Sequence, residues 1–429
     1  MRYPRTDKTL FAANRKRLAD HMKPSSVAAF ISNDIVPVSA DRTYPFLQNT
    51  DLYYLTGIDQ EETVLVLSPD AKEEKHREML FVRETNDEVA VWEGRKLSKK
   101  EASEASGIQT VHWTTEFEAL FRQIAFESDF IYLNSNEHVR ASHSVETGDI
   151  RFLNWCKKKF PLHKYERTAP VMHKLRSVKA KEEQELIRHA CQITGKTFER
   201  ILDFIEPGVW EYEIEAEIYH EFLRNRSRGP AYHPVIASGK NSCILHYVKN
   251  ECRCLDNDIV LIDFGAEYGG YASDVTRTIP VGGKFNKRQK DVYKSVLRVQ
   301  QKAIKLLVAG NTLTEYNKEV EKLMTEELIG LGLVDEKDAR SAPPENPSHR
   351  KYFMHGISHF LGLDVHDYGS KYAVFEAGMV LTCEPGIYIR EEGLGIRLEN
   401  DILITPEGPV DLTGDIPIDA EEIEDIMNK

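Results

Sequence analysis

Residues 258–277 read Asp-Ile-Val-Leu-Ile-Asp-Phe-Gly-Ala-Glu-Tyr-Gly-Gly-Tyr-Ala-Ser-Asp-Val-Thr-Arg. Two apolar segments on either side of a glycine pair predict a β-hairpin. With its turn placed at Tyr268 and Gly269, Asp263 faces Asp274, and directly opposed side chains have Cβ atoms about 4.5–5.5 Å apart. Two like charges that close repel each other, whereas a bound cation turns the repulsion into attraction. The hairpin is therefore a candidate metal site.

The same hairpin also has a purely structural interpretation. Strand alternation puts Ile259, Leu261 and Asp263 on one face, so a carboxylate ends an otherwise buried row. The two aspartates could cap turns or pair with Arg277 instead of binding a metal. The hairpin alone does not decide between these interpretations.

A cluster of histidines follows in residues 354–367, which read Met-His-Gly-Ile-Ser-His-Phe-Leu-Gly-Leu-Asp-Val-His-Asp. His355, His359 and His366 lie close together in a chain that has 15 histidines among 429 residues. A single histidine is more often an ordinary core or surface residue than a ligand. Three together beside glycines favour a functional site.

Two glutamates complete the set of candidate ligands. Glu384 and Glu399 each lie in or beside an apolar run. Burying an unpaired carboxylate costs several kcal/mol or shifts its pKa until it is neutral, so a metal is the simpler explanation. Arg397 could pair with one of the glutamates, but it does not explain both.

The chemistry of this donor set predicts metal-assisted hydrolysis. Two aspartates, two glutamates and one histidine form a hard, oxygen-rich set that suits Mn²⁺ or a similar ion better than a thiolate-type zinc site does. Two ions about 3.5–4 Å apart can share one water and make it a hydroxide near neutral pH. Such a hydroxide would attack a carbonyl group, and the metals would hold the oxyanion.

Composition limits the other classes of function. A length of 429 residues predicts two domains. The net charge of −13 argues against nucleic acid or an anionic membrane as a partner. The first residues contain no apolar signal core, and no apolar run of about 18 residues occurs, so a cytoplasmic protein without a membrane span is expected. The six cysteines are expected to be reduced.

The distribution of apolar residues predicts an α/β (α+β) protein. A helix over about 9–22 and short apolar runs at 27–31, 63–67, 79–82 and 130–133 indicate a small α/β domain that ends near residue 170. The basic segment 162–180 is interpreted as a linker. Helices over about 181–205 and 287–308 are each followed by a second helix and by strands, which predicts two helix–helix–sheet halves around one curved antiparallel sheet.

The ordered motifs resemble those of the Xaa-Pro aminopeptidases (aminopeptidase P), pita-bread metallopeptidases related to prolidase and methionine aminopeptidase. They are Ile-Asp-Phe-Gly at 262–265, Ser-Asp-Val-Thr-Arg at 273–277, Ser-His-Phe-Leu-Gly at 358–362, Glu-Pro-Gly at 384–386 and Arg-Leu-Glu at 397–399. Segments 46–57, 238–247 and 420–427 are also similar to this family. The resemblance implies an amino-terminal domain over 1–172 and a pita-bread catalytic domain over 173–429.

The resemblance also implies roles for individual residues. Asp263 and Asp274 would bind one ion together, and Asp274 would also reach a second ion. His359 and Glu384 would complete the shell of one ion, and Glu399 would bridge both. Glu384 would also act as general base toward the bridging water. Mn²⁺ is the expected metal, with Zn²⁺, Co²⁺ and Fe²⁺ as alternatives.

Other residues would contact the substrate. His246 and His366 would hydrogen-bond the scissile carbonyl or its tetrahedral intermediate and help to move protons. The pocket on the proline side would be lined by His355, Arg397, Tyr232 and Tyr388, although a packing role remains open for the two tyrosines. Asn400 stands where many relatives have an acidic residue, next to the ligand Glu399.

The implied reaction removes the first residue from peptides with proline at the second position. A bond before proline is a tertiary amide without an N–H, which general aminopeptidases handle poorly. Prolidase, which cuts only Xaa-Pro dipeptides, is the alternative within the class, and a non-catalytic pita-bread binding module is the alternative outside it. By resemblance, a homo-oligomer (dimer or tetramer) is expected.

Overall fold

The structure is a computed structural model that describes residues 3–141, 144–343 and 346–429. The chain forms two compact units, one of residues 5–175 and one that contains residues 176–429 together with Tyr3 and Pro4. Among the described residues, no helix has the length and apolar character that a membrane span needs. All six cysteines are free thiols.

The strands of the first unit are β1 (Ser26–Ile31), β2 (Pro37–Ser39), β3 (Arg42–Thr43), β4 (Val64–Leu67), β5 (Glu78–Val82), β6 (Thr110–Trp113), β7 (Phe130–Leu133) and β8 (Lys164–Arg167). Six of them form a mixed sheet in the order β6-β5-β4-β1-β7-β8, and β2 pairs with β3. The helices of this unit are α1 (Lys8–Ala19), α2 (Thr50–Thr56), α3 (Asp87–Glu93), α4 (Lys99–Ser106), α5 (Phe117–Phe126), α6 (Gly148–Lys159) and α7 (Ala169–Ser177), whose last two residues belong to the second unit. The apolar runs on β1, β4, β5 and β7 form the core of this unit.

The interpretation of segment 162–180 as a linker is wrong. The segment contains β8, which pairs in parallel with β7, and the helix α7. An edge strand needs few apolar residues, and charged side chains protect such an edge from further pairing. The many basic residues of segment 162–180 therefore led to a prediction of a linker where the structure has a strand and a helix.

The second unit repeats a pair of helices followed by antiparallel strands, as the sequence predicted. Its helices are α8 (Lys181–Phe204), α9 (Glu211–Arg224), α10 (Lys287–Ile304), α11 (Leu313–Gly330), α12 (Glu336–Ser341) and α13 (Ala420–Met427). Its strands are β9 (Val235–Ser238), β10 (Ile259–Phe264), β11 (Glu267–Tyr268), β12 (Tyr271–Ala272), β13 (Val275–Pro280), β14 (Val380–Cys383), β15 (Gly386–Ile389), β16 (Leu394–Arg397), β17 (Asn400–Thr405) and β18 (Gly408–Asp411). The α/β (α+β) class with a two-halved catalytic unit is thereby confirmed.

The strands of the two halves adjoin through β13. The sheet β13-β10-β9 belongs to the first half, and the sheet β14-β17-β18 belongs to the second. The backbone N–H of Glu399 donates to the carbonyl of Thr276 (3.0 Å), and the Thr278 hydroxyl donates to the carbonyl of Arg397 (3.1 Å). Residues of both halves therefore meet at one place.

The register of the first hairpin differs from the sequence prediction. Asp263 lies opposite Thr276, not opposite Asp274, because the turn is formed by Gly269 and Gly270, one residue later than predicted. Both glycines have positive φ (64° and 89°), which the favoured two-residue hairpin turn requires and which Tyr268 would adopt only with strain. Asp263 and Asp274 are consequently diagonal neighbours on one face.

Candidate metal centre

Four of the five predicted ligands lie where strands end or begin, and the fifth, His359, lies beside a strand. Asp263 is the penultimate residue of β10, and Asp274 immediately precedes β13. Glu384 lies between β14 and β15, and Glu399 lies between β16 and β17. His359 precedes β14 in the chain and is held beside it, because the Thr382 N–H donates to the His359 carbonyl (2.9 Å) and the His359 N–H donates to the Thr382 hydroxyl (3.1 Å).

The two aspartates converge on one tyrosine despite the shifted register. The hydroxyl of Tyr232 lies 2.5 Å from Oδ1 of Asp263 and 2.5 Å from Oδ1 of Asp274. A hydroxyl has one hydrogen, so it cannot donate to both carboxylates at once. One of the two carboxylate oxygens therefore has no hydrogen from Tyr232 to accept, and a bound cation would interact favourably with both oxygens.

Asp274, which contacts Tyr232 together with Asp263, also belongs to a second group of potential ligand atoms. One ligand atom from each of Asp274, His359 and Glu399 lies within 4.8 Å of the others. Nε2 of His359 is 3.4 Å from Oδ2 of Asp274 and 3.8 Å from Oε1 of Glu384. The structure thus brings all five predicted ligands into one cluster.

The electrostatics of the cluster are those of excess buried negative charge. Burial, followed by repulsion from Asp274, raises the pKa of Glu399 well above its usual range. Burial also raises the pKa of Glu384 to about 7, with Asp274 and Asp263 adding to the shift. Burial alone would lower the pKa of His359, but the carboxylates of Asp274 and Glu384 outweigh it and raise this pKa to about 9. A divalent cation would remove the repulsion that produces these shifts.

A chain of polar groups connects the cluster to His355. Arg397, which is 4% exposed, donates from Nη2 to Oδ2 of Asp263 (2.6 Å) and from Nη1 to the Tyr388 hydroxyl (3.0 Å). The Tyr388 hydroxyl lies 2.8 Å from Nε2 of His355, whose Nδ1 lies 2.7 Å from the Gly356 carbonyl. Burial, followed by the charge of Arg397, lowers the pKa of His355 to about 4. His355 is therefore neutral near pH 7.

The two predicted catalytic histidines lie at the surface of the same region. His366 is exposed, and its ring centroid is 4.5 Å from that of His359 in an edge-to-face arrangement. His246 is also exposed and is near enough to His355 for its charge to lower the pKa of that residue. Both histidines are accessible to a substrate.

The structure also decides between the pairings that the sequence left open. The Arg277 guanidinium donates to backbone carbonyls, among them that of Glu399 (2.8 Å), and to Oδ1 of Asn400 (2.9 Å). Arg397 forms its ion pair with Asp263, not with a glutamate. Asn400 is thus a hydrogen-bond partner of Arg277, and among the described residues neither arginine forms an ion pair with the carboxylate of Glu399.

Two supporting residues were missed in the sequence. The Thr276 hydroxyl donates to Oε2 of Glu399 (2.6 Å) and accepts from Nε of Arg397 (3.1 Å). The carboxylate of Asp401 accepts from the backbone N–H of Asp274 (2.9 Å) and from the thiol of Cys191 (3.4 Å). Thr276 and Asp401 each follow a predicted ligand by two residues, so the two-residue period of a strand could have indicated them.

The donor set fits a divalent metal. It combines carboxylates that are mostly buried with one imidazole, and hard oxygen donors of this kind suit Mn²⁺ and related ions. Among the contacts described above, the side chains that bring positive charge to these carboxylates are Arg397 and, when protonated, His359. The residues present therefore have the chemistry that a metal centre requires.

Comparison with known proteins places this geometry in a family. Residues 185–406 match the family model described as metallopeptidase family M24, and residues 11–132 match that of the aminopeptidase P N-terminal domain. The chain is 38% identical to Xaa-Pro aminopeptidase of Escherichia coli over 435 residues, which cover 97% of each chain. It is 35% identical to Xaa-Pro aminopeptidase of Haemophilus influenzae, again over 97% of each.

The fold matches equally well. The solved structure of aminopeptidase P from E. coli with the inhibitor Pro-Leu superimposes with a TM-score of 0.89 and 36% identity, covering 99% of each chain. The predicted family and the predicted class of enzyme are both confirmed. The chain belongs to metallopeptidase family M24, where it is a metal-dependent hydrolase of the Xaa-Pro aminopeptidase group.

Proposed function

We propose that the chain releases the first residue from Xaa-Pro-Yaa peptides through the cluster around Asp274, His359 and Glu399. The observation that carries this assignment is the convergence of five candidate ligands from both halves of the second unit, beside two accessible histidines. Residues 173–429 would form the catalytic domain, and residues 1–172 the amino-terminal domain.

Two divalent ions would be held by Asp263, Asp274, His359, Glu384 and Glu399. When bound, they supply a strongly polarised water and positive charge for a developing oxyanion. Mn²⁺ is the proposed ion because the set is rich in carboxylates, with Zn²⁺, Co²⁺ and Fe²⁺ as alternatives.

The protein's own groups would move the protons. Glu384 would act as general base toward the polarised water, because its carboxylate lies in the ligand cluster, 3.8 Å from Nε2 of His359, and a general base has to lie within reach of the proton that it accepts. His246 and His366 would donate hydrogen bonds to the scissile carbonyl and to the oxyanion that replaces it. One such donor contributes about 10²–10³ in kcat.

The proline side of the bond would lie against His355, Tyr388 and Arg397. His355 is neutral near pH 7, so it presents a ring without charge to an apolar proline. The contacts of Tyr232 with both aspartates support a role at the metal ligands instead of in the pocket wall.

Prolidase is the second candidate within the class. The E. coli relative is described with the inhibitor Pro-Leu, in which a residue follows proline. That ligand extends beyond its proline, which supports the aminopeptidase assignment over an enzyme for Xaa-Pro dipeptides. A cytoplasmic location and a homo-oligomer (dimer or tetramer) are part of the same proposal.

The test compares kcat/KM for Xaa-Pro-Yaa, Xaa-Pro, acetylated Xaa-Pro-Yaa and Xaa-Ala-Yaa, each with Mn²⁺ and with a chelator. Xaa-Pro-Yaa should be the preferred substrate, and chelation should abolish its cleavage. Acetylation should also prevent cleavage, because it removes the cationic amine that is expected near the carboxylates. Cleavage confined to Xaa-Pro would identify a prolidase, and rapid cleavage of Xaa-Ala-Yaa would disprove proline specificity.

A further inference from the structure

The segment that carries His246 has little regular structure of its own. It joins β9 to β10 and contains one short 3₁₀ helix, Gly239–Cys243. His246 is exposed, as are Ile244 (52%) and Val248 (45%) on either side of it. Such an exposed loop samples many conformations unless other contacts restrain it. A catalytic side chain that moves by about 1 Å can lose 10²-fold in rate.

The buried carboxylate of Glu211 restrains this loop through hydrogen bonds. Glu211 is the first residue of α9 and is 0% exposed. Its carboxylate accepts five hydrogen bonds, from Ser238 N (2.8 Å), Ser238 Oγ (2.7 Å), Asn241 Nδ2 (3.2 Å), Tyr247 OH (2.8 Å) and Cys252 N (2.8 Å). The bonds join the start of the loop, its middle and its end to one group.

The position of Tyr247 makes this restraint specific for His246. Tyr247 is the next residue in the chain and is 7% exposed, so its ring is anchored while the neighbouring imidazole remains at the surface. Leu245 and His246 form a turn immediately before Tyr247, so the anchored Tyr247 fixes the backbone that carries the His246 side chain. The exposed His246 is near enough to His355 for its charge to lower the pKa of that residue, so the loop holds it beside the site.

The five groups that donate hydrogen bonds to Glu211 are all uncharged, and this bears on the role of its carboxylate. Two are backbone amides, two are hydroxyl groups and one is a side-chain amide, so all are neutral. A buried carboxylate without a cationic partner is costly unless several hydrogen bonds satisfy it. All five donors belong to the segment 238–252. The hydrogen bonds that offset the cost of burying the Glu211 carboxylate are therefore the same bonds that hold the loop in one conformation.

A second glutamate of α9 acts on the same loop. Glu215, one helical turn after Glu211, accepts from Nδ2 of Asn250 (3.0 Å). Asn250 is 1% exposed, and its Oδ1 accepts from Ile236 N (3.1 Å). Residues at i and i+4 lie on one face of a helix, so Glu211 and Glu215 bind the loop from the same face of α9.

We infer that Glu211 is a positioning residue for the reaction and that it acts through His246 by fixing the loop 239–252. The inference rests on the proposed role of His246 in catalysis. Glu211 itself does not contact the metal ligands in any of the contacts above.

The experiment uses the full-length, Mn²⁺-loaded enzyme and the variant Glu211→Gln. The glutamine amide places N–H groups against the donors Tyr247 OH and Cys252 N, so at least one donor loses its acceptor. We expect kcat to fall about 10- to 100-fold, while KM and bound metal change by less than about twofold. Hydrogen exchange should accelerate in 239–252.

A double-mutant cycle with His246→Ala separates positioning from general stability. If Glu211 acts through His246, Glu211→Gln should cost almost nothing more in the His246→Ala background. Glu183→Gln is the matched control, because Glu183 is also a buried glutamate near the start of a helix, and it accepts from the hydroxyl of Tyr271 (2.9 Å). It should leave kcat unchanged.

Each outcome has a definite meaning. An equal loss of kcat from Glu211→Gln in both backgrounds would overturn the inference, and so would a kcat of wild-type size, whether or not hydrogen exchange in the loop changes. If Glu211→Gln does not fold, Tyr247→Phe, which removes one of the five bonds, must show a smaller loss of the same kind. If His246→Ala keeps full activity, the proposed role of His246 is the part that fails.

Discussion

Thr276 provides a sharp test of the metal centre, because its hydroxyl is buried between a proposed ligand and an arginine. Thr276 is 0% exposed, donates to Oε2 of Glu399 (2.6 Å) and accepts from Nε of Arg397 (3.1 Å). Thr276→Val keeps the shape of the side chain and removes both bonds. Glu399 would then lose its orienting donor, and the Arg397 Nε–H would lose this acceptor.

The magnitude follows from these contacts. A hydrogen bond to a charged group contributes about 1.5–3 kcal/mol. Loss of a group that orients a metal ligand typically lowers metal affinity about 10–100-fold, which corresponds to about 1.4–2.7 kcal/mol. The two ranges overlap, so we expect the Kd for Mn²⁺ to rise 10–100-fold and activity at limiting Mn²⁺ to fall in proportion.

Thr278→Val is the matched control. Thr278 lies two residues further along β13 and is also 0% exposed, but its hydroxyl contacts only backbone atoms of Arg397 in the hydrogen bonds described here. Titration calorimetry with Mn²⁺ and kcat/KM for Xaa-Pro-Yaa should be measured for both variants. The reasoning is refuted if Thr276→Val binds Mn²⁺ as tightly as the wild type, or if Thr278→Val weakens binding equally.

Two other predictions concern the histidines and the amino-terminal unit. His246→Ala and His366→Ala should each lower kcat about 10²–10³-fold with bound metal unchanged, as measured by steady-state kinetics and metal analysis, and a wild-type kcat in either variant would contradict its role. Burial, followed by the charge of Asp51, raises the pKa of Asp149 to about 8. Between pH 4 and 8 the folded protein therefore keeps a proton on Asp149 that the unfolded chain has released, so the free energy of unfolding falls as pH rises. Asp149→Asn should therefore raise the free energy of unfolding at pH 7 by at least about 1 kcal/mol and flatten its slope from pH 5 to 8 in urea titrations, and an unchanged slope would count against the buried, protonated carboxyl.

The sequence carried most of the information on the class of site. Asp263, Glu384 and Glu399 stand at the ends of apolar runs, where a carboxylate is costly without a partner, and this local signal requires no knowledge of the tertiary structure. The repeat of helix pairs likewise follows from apolar spacing alone. The resemblance of the ordered motifs then predicted the family, which the comparisons confirm.

The register of the first hairpin was predicted wrongly, although the glycine pair could have indicated it. Placing the turn one residue early moved the partner of Asp263 by two positions, from Thr276 to Asp274. The choice depended on which pair of residues tolerates positive φ, and Gly269 with Gly270 tolerates it best.

By itself, the sequence determined the fold class, the kind of metal-binding chemistry and the residues that could supply it, because periodicity and residue type are local properties. The tertiary structure alone decided which groups meet across long separations: Thr276 with Glu399, Asp401 with the backbone of Asp274, and Glu211 with the loop of His246. It also decided the pKa of Glu384, about 7, and that of His355, about 4. The two-residue period of a strand can place Thr276 and Asp401 on the same face as a ligand, but the partner of each depends on packing. The contacts and the pKa shifts arise from packing and from exclusion of water, which depend on the whole fold.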